Sequence, residues 1–117
     1  MPDKSGVDLL EEARSRIREV SAEDALRDAD GDVIFLDVRE INEWNLGHIP
    51  GALFLARGNL ETKVEALIPR DKNVIIYCAS GNRSALAADT MQNMGYTNVV
   101  SMAGGIRGWS DAGGPID

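Results

Sequence analysis

The chain has 117 residues, a formal net charge of -7 at pH 7, 44% hydrophobic and 26% charged residues, the profile of one ordinary globular domain around one core. That composition excludes a disordered, collagen-like or membrane-embedded chain. The acidic excess disfavours phosphate backbones and anionic lipid, so neither nucleic acid nor membrane is expected as a partner.

Met1 to Gly6 lack the apolar centre of a signal peptide, and no run approaches the roughly 20 apolar residues of a membrane helix. The expected compartment is the cytoplasm. With one cysteine, Cys78, and one histidine, His48, the chain can form neither an intrachain disulfide nor a structural zinc site of Cys and His, and no metal is expected. The open question is whether the lone thiol reacts.

In chain order, Leu9, Leu10, Ala13 and Ile17 recur at helical spacing among charged residues and predict an amphipathic helix, leading into a short strand near Ile17 to Val20. Residues 1–20 thus form a lead-in that overlaps a domain over 17–117. Ser21 followed by Asp24 resembles a capping box and Asp30-Gly31 is a stop, so Ala22 to Ala29 reads as a short helix. Val33 to Val38, nearly all apolar and rich in β-branched residues, reads as a buried strand. Gly47, Pro50 and Gly51 break the chain before a second short strand, Ala52 to Ala56. Leu60, Val64 and Leu67 share one helix face ahead of Pro69. Val74 to Cys78 is a third buried strand, Ser84 to Met94 a helix stopped by Gly95, and Val99 to Met102 the last strand. Gly104-Gly105 opens a terminal turn carrying Trp109, and Ser110 to Asp117 is expected to be loosely held. Apolar strands alternating with helices predict an α/β domain with a parallel sheet and helices on both faces.

Cys78 ends a strand and precedes a helix. Ligands of open α/β sheets bind beyond the carboxyl ends of strands, where a helix start points unpaired N–H groups into the loop. A thiol there, near the Arg83 cation, is favoured as thiolate. The alternative is a small buried core residue. Gly81 and Asn82 both tolerate positive φ and can curl successive N–H groups around an anion.

The segment Cys78-Ala79-Ser80-Gly81-Asn82-Arg83-Ser84 resembles the active-site loop of the rhodanese family, single-domain sulfurtransferases. Asp37-Val38-Arg39-Glu40 with Glu43-Trp44 and Gly47-His48-Ile49-Pro50-Gly51-Ala52 resembles that family's first signature, and Gly104-Gly105-Ile106-Arg107-Gly108-Trp109 its last. The resemblance implies a five-stranded parallel sheet flanked by helices. It implies Cys78 as a nucleophile that takes sulfur from thiosulfate, or from a protein persulfide, and passes it to cyanide or a thiol without any cofactor. The backbone of Ala79, Ser80, Gly81, Asn82, Arg83 and Ser84 would cradle the sulfur. Related phosphatases use a loop one residue longer, so phosphatase activity is not expected.

Arg83 can hold a dianionic donor or cap a surface ion pair, and Ser84 can cap the helix and also donate its hydroxyl to the cradle. Ala79 and Ser80 are uncharged where some thiosulfate-preferring relatives are basic, which counts against strong thiosulfate turnover and leaves a protein persulfide as the alternative donor. Asp37 and Arg39 can brace the loop from behind, although an ion pair with Glu40 or Glu43 is the preferred reading. A protease pair of Cys78 and His48 is disfavoured because His48 sits in a turn signature. Trp44, Trp109, Met91 and Met94 are expected to pack. A monomer or homodimer is expected. A reading of a different class is a rhodanese-like interaction or sulfide-sensing module that turns over poorly.

Overall fold

The computed structural model describes residues 3–117; Met1 and Pro2, the start of the segment read for a signal peptide, lie outside the described residues. Helix α1 (Gly6–Arg16) begins at a reciprocal cap in which Ser5 Oγ accepts the Asp8 N–H and the Asp8 carboxylate accepts the Ser5 N–H. Arg14 and Arg16 suit the negative end of its dipole. Five strands follow: β1 (Glu19–Val20), β2 (Ile34–Asp37), β3 (Leu53–Phe54), β4 (Val74–Tyr77) and β5 (Val99–Met102). All pair in parallel, in the order β1-β5-β4-β2-β3. The remaining helices are α2 (Ala22–Asp28), α3 (Ile41–Leu46), α4 (Leu60–Leu67), α5 (Asn82–Asn93) and α6 (Gly105–Asp111).

Strand β4 occupies the middle of the sheet and is buried along its whole length. Successive side chains of a strand point to opposite faces, so Val74, Ile76 and Cys78 join Leu36 and Val38 beneath α4 and α5, with Val64, Ile68, Ala87, Ala88 and Met91. Ile75 and Tyr77 join Phe35 on the other face, against Ala22, Ala25, Ile49 and Trp109. Helix α1 lies outside this frame and packs on α5. Each fully buried side chain such as Ile76 contributes about 1.5–3 kcal/mol, so Cys78 hangs from the best anchored strand. No described helix is long and apolar enough to cross a membrane.

Three segments differ from expectation. Residues 41–46 form α3, which has no apolar stripe to betray it because Ile41 is 55% and Leu46 89% exposed; the Glu43 carboxylate instead accepts the Glu40 N–H at the helix start. The expected terminal turn at Gly104-Gly105 is the start of α6, with both glycines left-handed, at φ 82° and 60°. The expected loose tail is docked. Asp117 N–H donates to His48 O at 2.8 Å and His48 N–H to Asp117 O at 3.3 Å. Trp109 Nε1 donates to Pro115 O at 2.8 Å, and the indole lies so close to Gly114 that a Cβ there would overlap it.

Candidate active site

The site grows from the place where β4 runs out. Cys78 follows its last residue and keeps its side chain in the core, 1% exposed. The chain then turns at Gly81, whose φ of 110° is open to glycine and strained for other residues, and α5 begins at Asn82. The turn carries two amides back over the sulfur. Gly81 N–H donates to Sγ at 3.1 Å and Ser84 N–H at 3.4 Å. Ser84 Oγ lies 3.5 Å from Sγ and 2.8 Å from Ser101 Oγ, and both serines are fully buried. Burial is the largest single influence on the thiol and opposes its ionisation; the Ser84 hydroxyl and the Ser84, Gly81 and Ser80 amides together outweigh it and hold Cys78 below the ordinary cysteine range.

Ser84 is not the helix cap. Glycine at 81 takes the turn, α5 starts two residues before the expected Ser84, and the serine hydroxyl faces inward to the sulfur. Arg83 is paired with α3, its guanidinium donating to both Glu43 oxygens at 2.7 and 3.0 Å, and it remains close enough to Cys78 for the sulfur to help hold it charged. Those hydrogen bonds hold the Glu43 carboxyl at about 2. Asn82 faces α1, its Oδ1 accepting from Arg14 Nη2 at 3.0 Å, while the same guanidinium reaches Gly81 O at 3.4 Å. Ala79 is half-buried and Ser80 exposed on the outer arc of the loop.

Asp37 and Arg39 pair with each other, and the preferred reading of partners Glu40 or Glu43 does not describe them. The Asp37 carboxylate accepts from Arg39 N, Nε and Nη2, the last at 2.7 Å, and both residues are buried. Arg39 Nη2 also donates to Gly47 O at 2.6 Å, which ties the 47–48 turn to β2. His48 stacks on Trp44 with ring centroids 3.5 Å apart, its Nδ1 3.1 Å from Trp44 O. The histidine is thus engaged with α3, and nothing couples it to the thiol.

The start of α6 closes the loop from below. Ile106 N–H donates to Cys78 O at 2.9 Å and Arg107 N–H to Ala79 O at 3.5 Å. A Cβ on Gly105 would stand 2.4 Å from the Ala79 backbone, so only glycine permits that approach. The Cys78 and Ala79 carbonyls are taken by α6, and the Gly81 and Ser84 amides are left for the sulfur. A groove lined by Leu46, Gly47, Ala79, Ile106, Arg107 and Ile116 adjoins the loop. Another cleft, with Arg18, Arg27, Asn73 and Asn98 in its wall, sits at the opposite ends of the strands.

Sequence reasoning did not find four of these participants: Arg14, Ser101, Gly105 as a contact of the loop, and Glu43 as the partner of Arg83. Ser101, the polar residue in the apolar strand Val99–Met102, carried a readable signal. Arg14 carried none, because it meets Gly81 across 67 positions.

A cysteine sulfur cradled at a helix start, at the end of a parallel sheet of this order, defines a class of α/β proteins, and sequence comparison identifies it. The rhodanese-like domain profile matches residues 21–112, and the chain belongs to that family. It is 36% identical over 109 residues to YrkF of Bacillus subtilis, a candidate sulfur carrier protein; the match covers 92% of this chain but 58% of that one, so this chain spans little more than half of that relative. A sulfurtransferase of Allochromatium vinosum is 39% identical over 85 residues, 73% of this chain and 78% of its own. Among solved structures, a Rhodopseudomonas palustris protein of unknown function, described as a possible tyrosine phosphatase, superposes with a TM-score of 0.88 at 37% identity, covering 100% of this chain and 99% of that one.

Proposed function

We propose that this protein is a sulfurtransferase in which Cys78 carries sulfane sulfur as a persulfide. The observation that supports it most is the Cys78 sulfur receiving the Gly81 and Ser84 amides at 3.1 and 3.4 Å. A thiolate so held is a ready nucleophile, and the same inward N–H groups suit the terminal sulfur that replaces it. In the first half-reaction the thiolate attacks the outer sulfur of thiosulfate. The S–S bond of the donor breaks, sulfite leaves with the bonding electron pair, and Cys78 becomes a persulfide anion. In the second, cyanide or a thiolate attacks the terminal sulfur, and the Cys78 thiolate is released. A persulfide donor follows the same course, with a thiolate as the leaving group.

The donor reading that the geometry favours is a protein or small-molecule persulfide over thiosulfate. Arg83, the loop's own cation, is neutralised by Glu43, and Ala79 and Ser80 supply no charge. The same pairing argues against phosphate chemistry, because the arginine that would grip a phosphoryl group has both terminal nitrogens engaged by the Glu43 carboxylate. The test is thiocyanate formation from thiosulfate, mercaptopyruvate and a persulfide donor, with the Cys78→Ser variant beside the native protein. The expected result is Cys78-dependent turnover, faster with the persulfide than with thiosulfate. Cys78-dependent hydrolysis of an aryl phosphate, without sulfur transfer, would contradict the proposal.

A second reading is a module that is modified at Cys78 but turns over slowly, which the 1% exposure of Cys78 favours. In that case all donors load the cysteine and none is turned over, while Cys78→Ser retains partner binding.

A further inference from the structure

Arg14 lies in α1, ahead of the residues 21–112 that the family profile covers, yet its guanidinium reaches into the Cys78 loop. Nη2 stands 3.0 Å from Asn82 Oδ1 and 3.4 Å from Gly81 O. The helix that carries it is fastened by other contacts. Arg16 donates to both carboxylate oxygens of Asp89 at 2.9 and 2.8 Å, Gln92 Nε2 donates to Arg16 O at 2.9 Å, and Ala13 is buried. Arg14 is thus held over the loop by a helix docked on α5.

We infer that Arg14 is a positioning residue that fixes the Gly81 turn so that the loop amides stay aimed at the Cys78 sulfur. The reason lies in the backbone. Gly81 N–H, which donates to Sγ, and Gly81 C=O, which Arg14 holds, belong to two peptide planes hinged on one α-carbon. Glycine restrains neither torsion with a side chain. The carbonyl also accepts the Ala85 N–H at 3.2 Å, the first bond of α5, but that bond ties Gly81 only to its own helix. Arg14 adds the tie to a second element and, through Asn82, secures two successive residues.

Its effect is geometric more than electrostatic. Three arginines around the loop are paired, Arg83 with Glu43, Arg39 with Asp37, and Arg14 with Glu19 at 3.7 Å. Removing Arg14 therefore releases the turn more than it alters the field at the sulfur. Misplacing a catalytic group by about 1 Å costs up to roughly a hundred-fold in rate, so a loosened turn should be visible in kinetics.

The experiment uses the full chain with Arg14→Ala, Arg14→Lys and, as a control for docking of α1, Arg16→Ala. It reads the pH midpoint of Cys78 alkylation by iodoacetamide, the single-turnover rate of sulfur loading, and the melting temperature. The loading rate rests on the sulfur-transfer reading; the alkylation midpoint does not. Arg14→Ala is expected to raise the midpoint toward the ordinary cysteine value and slow loading about ten-fold, with Arg14→Lys recovering part of both. Arg16→Ala should lower the melting temperature and leave the midpoint in place. A native midpoint and native loading rate in Arg14→Ala would overturn the inference, as would an equal midpoint shift in Arg16→Ala. A raised midpoint in Arg14→Ala alongside a native protein that no donor can load would uphold it while removing the sulfur-transfer reading.

Discussion

Burial alone would keep Cys78 protonated, since a low-dielectric surrounding penalises the thiolate. The opposing hydrogen bonds are short-range and each is attached to a named group, so the balance can be tested one group at a time. Alkylation of the native protein should titrate below the ordinary cysteine pKa of about 8.5. Ser84→Ala, which removes the first of the favourable contributions, should raise that midpoint; an unchanged midpoint would place the activation in the amides alone. The sign for stability follows from linkage. A thiol whose folded pKa is depressed contributes stability that is fully present above the unfolded value of about 8.5 and is lost as pH falls through the folded one. Denaturation midpoints of the native protein should therefore gain on Cys78→Ser as pH rises through that window. Glu43 behaves alike at lower pH: its contribution is present above its ordinary value of 4.5 and is lost as pH falls through about 2.

The loop's shape is a property of elements, and α6 carries more of it than its sequence suggests. Its first residues bond the carbonyls of Cys78 and Ala79, and Gly105 makes room for them. Gly105→Ala must force a left-handed alanine, costing about 1–3 kcal/mol, and also drive the Ala79 backbone away from a contact of 2.4 Å. The expected outcome is a lower melting temperature together with slower Cys78 alkylation at fixed pH. A stability loss with native reactivity would mean α6 supports the fold and leaves the cradle alone. The strands around this loop were legible because burial on both faces writes itself as continuous apolar runs: Val99–Met102 was read to the residue, and Val74 to Cys78 extends β4 by one. Helix α3 is illegible because Ile41 and Leu46 face outward and leave no apolar stripe, and α6 because a glycine pair reads as a turn until a contact 26 residues back explains it. The spacing of Ala87, Met91 and Met94 and the capping tendency of serine put the helix start at Ser84, whereas the backbone freedom of Gly81 moves the start to Asn82 and leaves the Ser84 hydroxyl facing the sulfur.

Across the whole molecule, a net charge of -7 surrounds a site whose loop cation, Arg83, is paired with Glu43. A dianionic donor approaches against that field, while an uncharged donor does not feel it. Raising ionic strength from 0.01 to 0.15 M shortens the screening length from about 30 to about 8 Å. Sulfur loading from thiosulfate should therefore accelerate with salt and loading from an uncharged polysulfide should not; slowing with salt would show that the groove cation Arg107 draws the anion in.

Uptake of sulfur by Cys78 itself is read directly by intact mass. Reduced native protein and Cys78→Ser are incubated with thiosulfate and with a persulfide donor, then weighed before and after cyanide. The expected result is a gain of one sulfur atom in the native protein, reversed by cyanide and absent from the variant. An equal gain in the variant, or no gain with any donor, would contradict it.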